Sequence, residues 1–233
     1  MWAMKVAYYR AFQKVMKIFM MFLDWSEPQL LTGPGAIKKL PGVIKDKGIN
    51  NVMIVTDKGL MSLHLLDGLF KQLEEDGISY TVYDGVQPNP SIENIEEARA
   101  QFVANGCQAM IAFGGGSPMD CAKAAASVAL TQDSIRKYHG TGVALPAEHL
   151  PLIAIPTTAG TGSEVTCVSV LSDHANGKKA PIVSEGFYPK AAIIDPELTY
   201  TMPPAVTAGT GIDVLSHAIE GYWSKGHQPI CDT

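Results

Sequence analysis

The chain has 233 residues, 46% of them hydrophobic and 18% charged, and a net charge of −5. These are globular values that exclude a disordered chain and suit one large domain, or one domain and part of another. A negative balance without any long basic run argues against nucleic acid as the main partner.

The first element is an apolar stretch, Met4 to Leu23, with Arg10, Lys14 and Lys17 at helical spacing on one side. It predicts an amphipathic basic helix within an N-terminal segment, residues 1–28. Charge interrupts it too often for a bilayer span, and the layout is not that of a signal peptide. Such a helix is expected to pack on its own domain or on a second subunit rather than to take a membrane as partner, contact at a membrane surface being the lesser use of this pattern.

Strands and helices then alternate. Asn51 to Thr56 is a short β-rich run, followed by a helical stretch from Gly59 to Asp76 that ends at Gly77. Ser79 to Tyr83 is the next strand, and Pro88-Asn89-Pro90 turns the chain into a helix from Ser91 to Asn105. Ala109 to Phe113 is a third strand and Pro118 to Leu130 a third helix. Leu152 to Ile155 and Ala191 to Ile194 are later strands. Strands separated by helices of this length imply βαβ units, and so an α/β fold with a parallel sheet flanked by helices. Val165 to Ser172 and Lys178 to Ser184 flank Asn176-Gly177, a strong β-hairpin signal. After Asp195 the character changes to helix with no returning strand, which places a domain boundary there.

Four segments carry chemistry. Gly114-Gly115-Gly116-Ser117-Pro118-Met119-Asp120 joins a strand to a helix, where glycines admit a ligand and the helix N-terminus favours phosphate. It is not the GxGxxG fingerprint. Ser117 and Asp120 also stand where an N-cap and a capping-box acid belong, but capping leaves three consecutive glycines unexplained. Pro156 to Glu164, rich in small and hydroxyl residues, follows another strand, and two such loops at strand ends point to a diphosphate-bearing ligand. Asp57 closes the strand before it, where a carboxylate either accepts from a ribose diol, favouring NAD over NADP, or caps the next turn. Asp213 and His217 stand four apart on a helix, so a carboxylate and an imidazole share one face, as a metal pair or as a surface ion pair. His64, His139, His149 and His174 read as residues in surface-like polar contexts or near turns, and His227 as solvent-facing, none of them as a ligand. The helix around Asp213 also carries Ile212, Val214, Leu215, Ile219 and Trp223, which need a partner and predict self-association. Cys107, Cys121, Cys167 and Cys231 form no CxxC pair, which fits a reducing cytoplasm and gives no structural zinc site.

Taken together, Gly114 to Lys123, Ala154 to Thr166 and Gly211 to Tyr222 resemble the iron-containing (group III) alcohol dehydrogenases. Asp84 to Pro90 and Thr201 to Pro204 match the same family, and the resemblance runs from about Gly33 to the end. It implies a Rossmann-like dinucleotide-binding domain over residues 29–195 and the start of a helical metal-binding domain over 196–233. By this similarity Asp57 meets the adenosine ribose, and Asn89, Gly115, Gly116 and Ser117 surround the pyrophosphate. Thr157, Thr158, Thr166 and Val168 line the cofactor, Lys179 contacts it, and Leu198 lines the adenosine side. Asp213 and His217 match the first two ligands of an iron site, with Zn²⁺ as a substitute for Fe²⁺. The family's other two histidines lie on later helices, beyond Thr233. The family commonly begins with a short strand before a glycine turn, whereas here the long helix comes first. The implied activity is NAD-dependent, metal-assisted hydride transfer involving a small alcohol or aldehyde, in a homo-oligomer, with no side chain reading as a general base. A non-catalytic nucleotide-binding fragment is the alternative. A glycerol-dehydrogenase-like relative fits less well, because that type lacks these threonine-loop and Asp213–His217 motifs.

Overall fold

A computed structural model describes residues 2–20 and 26–224. The expected end of the first helix at Leu23, together with His227 and Cys231, lies outside these residues. Helix α1 spans Trp2–Met20. Its Trp2, Met4, Tyr8, Tyr9, Phe12 and Val15 are exposed, so these side chains are not buried against the domain, one of the two packing partners the pattern allowed.

Six strands form one parallel sheet: β1 (Gln29–Thr32), β2 (Asn51–Val55), β3 (Ser79–Tyr83), β4 (Ala109–Gly114), β5 (Leu152–Pro156) and, after a hairpin of β6 (Val168–Asp173) and β7 (Lys178–Val183), β8 (Ala191–Ile194). Their order is β1-β8-β5-β4-β2-β3, with every neighbour parallel. The chain steps outward from β2 to β3 and then returns to the other side of β2 as β4. The order therefore reverses between β2 and β4, and such a point opens a crevice at the carboxyl ends of the strands.

The central strands are apolar on both faces because both faces are covered. Met53, Val55, Met110 and Ala112 pack with helices α5 (Ile92–Ala104) and α6 (Gly116–Val128). Val52, Ile54, Ile111 and Phe113 pack on the other side with α2 (Leu40–Asp46) and the helices after β2. Asp195, at the predicted boundary, is 2% exposed and accepts the N–H groups of Gly35 and Ile37 at 3.2 Å each. It thereby pins the glycine turn after β1 to the tip of β8.

Several expectations need adjustment. The single helix from Gly59 to Asp76 is two, α3 (Lys58–Ser62) and α4 (Asp67–Glu75). The break falls at His64, whose φ of 56° lies outside any right-handed helix. Edge strand β1 was not legible as a pattern, being four residues long and largely exposed. The third helix starts at Gly116 rather than Pro118, and Gly115 is its N-cap without any side-chain cap bond. Neither Ser117 nor Asp120 therefore serves as the cap that the pattern allowed. His139 is buried at 6% exposure with Nε2 3.0 Å from the Leu171 carbonyl, so it is a core residue rather than a surface one. Helix α7 (Pro204–Trp223) closes the described chain with no buried residue.

Candidate functional site

The strand tips place three of the four chemistry-bearing segments side by side. Gly114 on β4 registers with Pro156 on β5, and the Gly114 carbonyl accepts from the Thr157 N–H at 3.0 Å. Val55 on β2 registers with Ala112 on β4, so Asp57 stands beside the glycine loop on the reversal side. The two loops touch: a Cβ on Gly115 would lie 3.3 Å from Thr158, and one on Gly116 would lie 3.3 Å from Thr161. Glycine is required more strictly just before them. Gly114 has φ +146°, and a Cβ there would sit 2.6 Å from Pro118 Cγ.

A third wall comes from the hairpin and the turn before α5. Asn89 adopts φ 57°, the left-handed conformation that asparagine tolerates. Its N–H donates to Ser117 Oγ at 3.1 Å, and its Oδ1 accepts from Lys179 Nζ at 2.7 Å. Ser172 on β6 donates its N–H to the Pro90 carbonyl at 2.9 Å, which anchors the hairpin to that turn. One chain of contacts thus joins Lys179, Asn89 and Ser117, three residues singled out in the sequence.

Asp57 does what the cautious reading allowed: its Oδ1 accepts the Leu60 N–H at 2.9 Å and caps α3. Capping uses one carboxylate oxygen and leaves the half-buried carboxylate at the crevice. Leu198 is buried in the core cluster that holds Ala36, Ile155 and Ile193.

Lys123 and Asp120 are functional candidates whose roles sequence reasoning missed. Lys123 is 1% exposed, and its Nζ donates to the Ser163 carbonyl (2.6 Å), Ser163 Oγ (3.0 Å), Thr166 Oγ1 (3.0 Å) and the Val168 carbonyl (2.9 Å). It ties α6 to the end of the second loop and to the first residue of β6. Burial lowers its pKa to about 8, against the opposing pull of Asp120. Burial raises the Asp120 carboxyl to about 6, against the lowering effect of Lys123, a backbone hydrogen bond at Val170, and Lys179. The available signal was one lysine inside the small-residue run Cys121-Ala122-Lys123-Ala124-Ala125-Ala126, where an exposed lysine would not be expected.

The crevice fits a dinucleotide on two observations. Thr158 Oγ1 is buried without a hydrogen-bond partner among the described residues, at the very contact between the loops. The first turn of α6 opens on Gly115 and Gly116, which carry no side chains of their own, and its N-terminal N–H groups receive no side-chain cap. The metal pair fits less fully. Asp213 Oδ1 and His217 Nε2 are 3.9 Å apart on α7, with side chains 43% and 55% exposed. No cluster of three or more metal-binding side chains occurs among the described residues, and a catalytic ion commonly takes three.

The comparisons with known proteins agree with this geometry. The family model for iron-containing alcohol dehydrogenase matches residues 28–196. Alcohol dehydrogenase 4 of Schizosaccharomyces pombe is 39% identical over 87% of this chain and 48% of its own length. An NAD-dependent methanol dehydrogenase of Bacillus methanolicus is 38% identical over 88% of this chain and 54% of its own. The crystal structure of sulfoacetaldehyde reductase from Bifidobacterium kashiwanohense in complex with NAD⁺ superposes with a TM-score of 0.83 at 48% identity, covering 91% of this chain and 56% of that one. The chain spans about half the length of the curated relatives it matches. It belongs to the iron-containing alcohol dehydrogenase family.

Proposed function

We propose that this member of the iron-containing alcohol dehydrogenase family binds NAD across the tips of β2, β4 and β5. On that reading it is the nucleotide-holding part of an enzyme that interconverts a small alcohol and its aldehyde. The observation that carries the proposal is the contact of the loops after β4 and β5, beside the point where the strand order reverses, with Thr158 Oγ1 buried between them and without a hydrogen-bond partner among the described residues.

Each residue has a role that its surroundings allow. Gly115, Gly116 and Ser117 would receive the pyrophosphate at the N-terminus of α6. Lys179, held by Asn89, would add a positive charge beside it. Asp57 would accept from a ribose hydroxyl through its uncapped oxygen and repel a 2′-phosphate. Thr157, Thr158, Thr166 and Val168 would form the opposite wall, braced from beneath by Lys123, while Leu198 would close the adenosine side from the core. The nicotinamide, when bound, supplies or accepts the hydride. Asp213 and His217 are proposed as the ligands this segment contributes to a site for Fe²⁺, or Zn²⁺ in its place. A cytoplasmic homo-oligomer and a division near residue 195 belong to the same proposal.

A second reading, nucleotide binding without catalysis, is favoured by the exposure of Asp213 and His217 and the lack of a third donor among the described residues. Calorimetric titration with NADH, paired with an assay of small alcohols and aldehydes in added Fe²⁺ or Zn²⁺, separates the two. Metal-dependent turnover supports the first, micromolar binding without turnover supports the second, and no binding by the folded chain removes both.

A further inference from the structure

Helix α1 precedes residues 28–196, the part of the chain matched by the family model. It is two-sided in charge as well as in hydropathy. At about 100° per residue, Met4, Tyr8, Phe12 and Val15 fall on one side, while Arg10 and Lys14 fall opposite, with Lys17 in the same register of the sequence. Lys5, near the helix start, stands among the apolar positions, where its long stem lets the ammonium reach a polar boundary. Lys5, Arg10, Lys14 and Lys17 are the only charged residues in α1, whereas all 23 acidic residues of the chain lie outside it. The apolar side includes Tyr8 (66%) and Phe12 (52%), both exposed and of an aromatic type that favours the boundary between water and lipid, while exposed Trp2 falls between this side and the basic one. No described helix is long and apolar enough to cross a membrane.

From these observations we infer that α1 is an interfacial helix that docks the protein on an anionic lipid surface, apolar side in the headgroup boundary and Arg10 and Lys14 toward the acidic headgroups. The wholly cationic charge selects this partner: basic residues beside an exposed aromatic stripe match acidic headgroups over acyl chains. The attachment is reversible, since one short helix supplies a single membrane signal.

Co-sedimentation of the full chain with lipid vesicles tests the inference. The chain should partition at least about tenfold more strongly onto phosphatidylcholine vesicles containing a quarter phosphatidylglycerol than onto phosphatidylcholine alone, and high salt should release it. The double variant R10E/K14E should lose the preference, and the double variant Y8S/F12S should lose binding to both kinds of vesicle. Circular dichroism and the unfolding midpoint confirm that each variant remains folded. Equal sedimentation with neutral and anionic vesicles, or none with either, overturns the inference. So does self-association that R10E/K14E abolishes while vesicles go unbound, because α1 would then be seated on a second copy.

Discussion

Gly160 in the second loop lies directly against Thr210 on α7: a Cβ added to Gly160 would sit 2.7 Å from Thr210 Cβ and 2.8 Å from its carbonyl oxygen. Backbone meets backbone, so α7 is docked to this loop three residues before Asp213. Gly160→Ala should therefore force the loop and helix apart. The expected cost is about 1–3 kcal/mol, read as a fall of several degrees in the unfolding midpoint, together with weaker NADH binding. Thr210→Gly in the same background should recover part of both, since it removes the clashing Cβ.

Lys179 and Asn89 act together on the exposed wall. Lys179→Met should weaken NADH binding about threefold to tenfold, the scale of one hydrogen bond, without lowering the unfolding midpoint. Lys178→Met, one residue away on the same strand, should leave affinity unchanged. Asn89→Gly keeps the left-handed backbone but removes the bond to Lys179, so it should weaken binding to a similar degree. Fluorescence titration of NADH checks all three.

Lys123 is expected to stabilise the second loop and to temper Asp120. Lys123→Met leaves Ser163, Thr166 and Val168 without their donor and should cost about 1–3 kcal/mol for each buried group left unsatisfied. Asp120 has a folded-state pKa raised to about 6, so its favourable contribution is present below the ordinary carboxylate range and is lost as pH rises through about 6. The stability of the parent chain relative to Asp120→Asn should accordingly fall between about pH 4 and pH 6. With Lys123→Met in both partners the fall should extend to higher pH, because Asp120 has lost the cation that most opposes its upward shift. Chemical denaturation across the pH series measures the effect.

Asp57 caps α3 and is proposed to meet a ribose hydroxyl, and substitution can separate the two. Asp57→Asn keeps an oxygen for the Leu60 N–H but loses the charge, so NADPH should gain on NADH by about threefold to tenfold at unchanged stability. Asp57→Ala should show the same shift and also lose about 1 kcal/mol with the cap.

Much of the fold was legible because its central strands are continuous apolar runs bounded by glycine, as at Ala109–Gly114, and because Asn176-Gly177 marks the hairpin turn. The strand-end position of Asp57, the glycine loop and the threonine loop followed from the same alternation. What escaped depends on residues far apart in the chain. The helix break at His64 occurs within a segment of helical pattern, and it lets Leu66 and Leu69 turn into the core. The contact of Gly160 with Thr210, the burial of Lys123 beneath Ser163 and the packing of His139 against Leu171 are tertiary events with no local signature. The Lys179–Asn89 bond spans 90 residues; the resemblance suggested both positions, but only the structure joins them.

Amide hydrogen exchange with and without saturating NADH tests most directly whether the dinucleotide lies across the strand tips. The account predicts slower exchange in segments covering residues 57–60, 114–119 and 156–163, with little change at the far ends of the same strands. Protection confined to other parts of the chain, with these three segments unaltered in a sample that binds NADH, would contradict it.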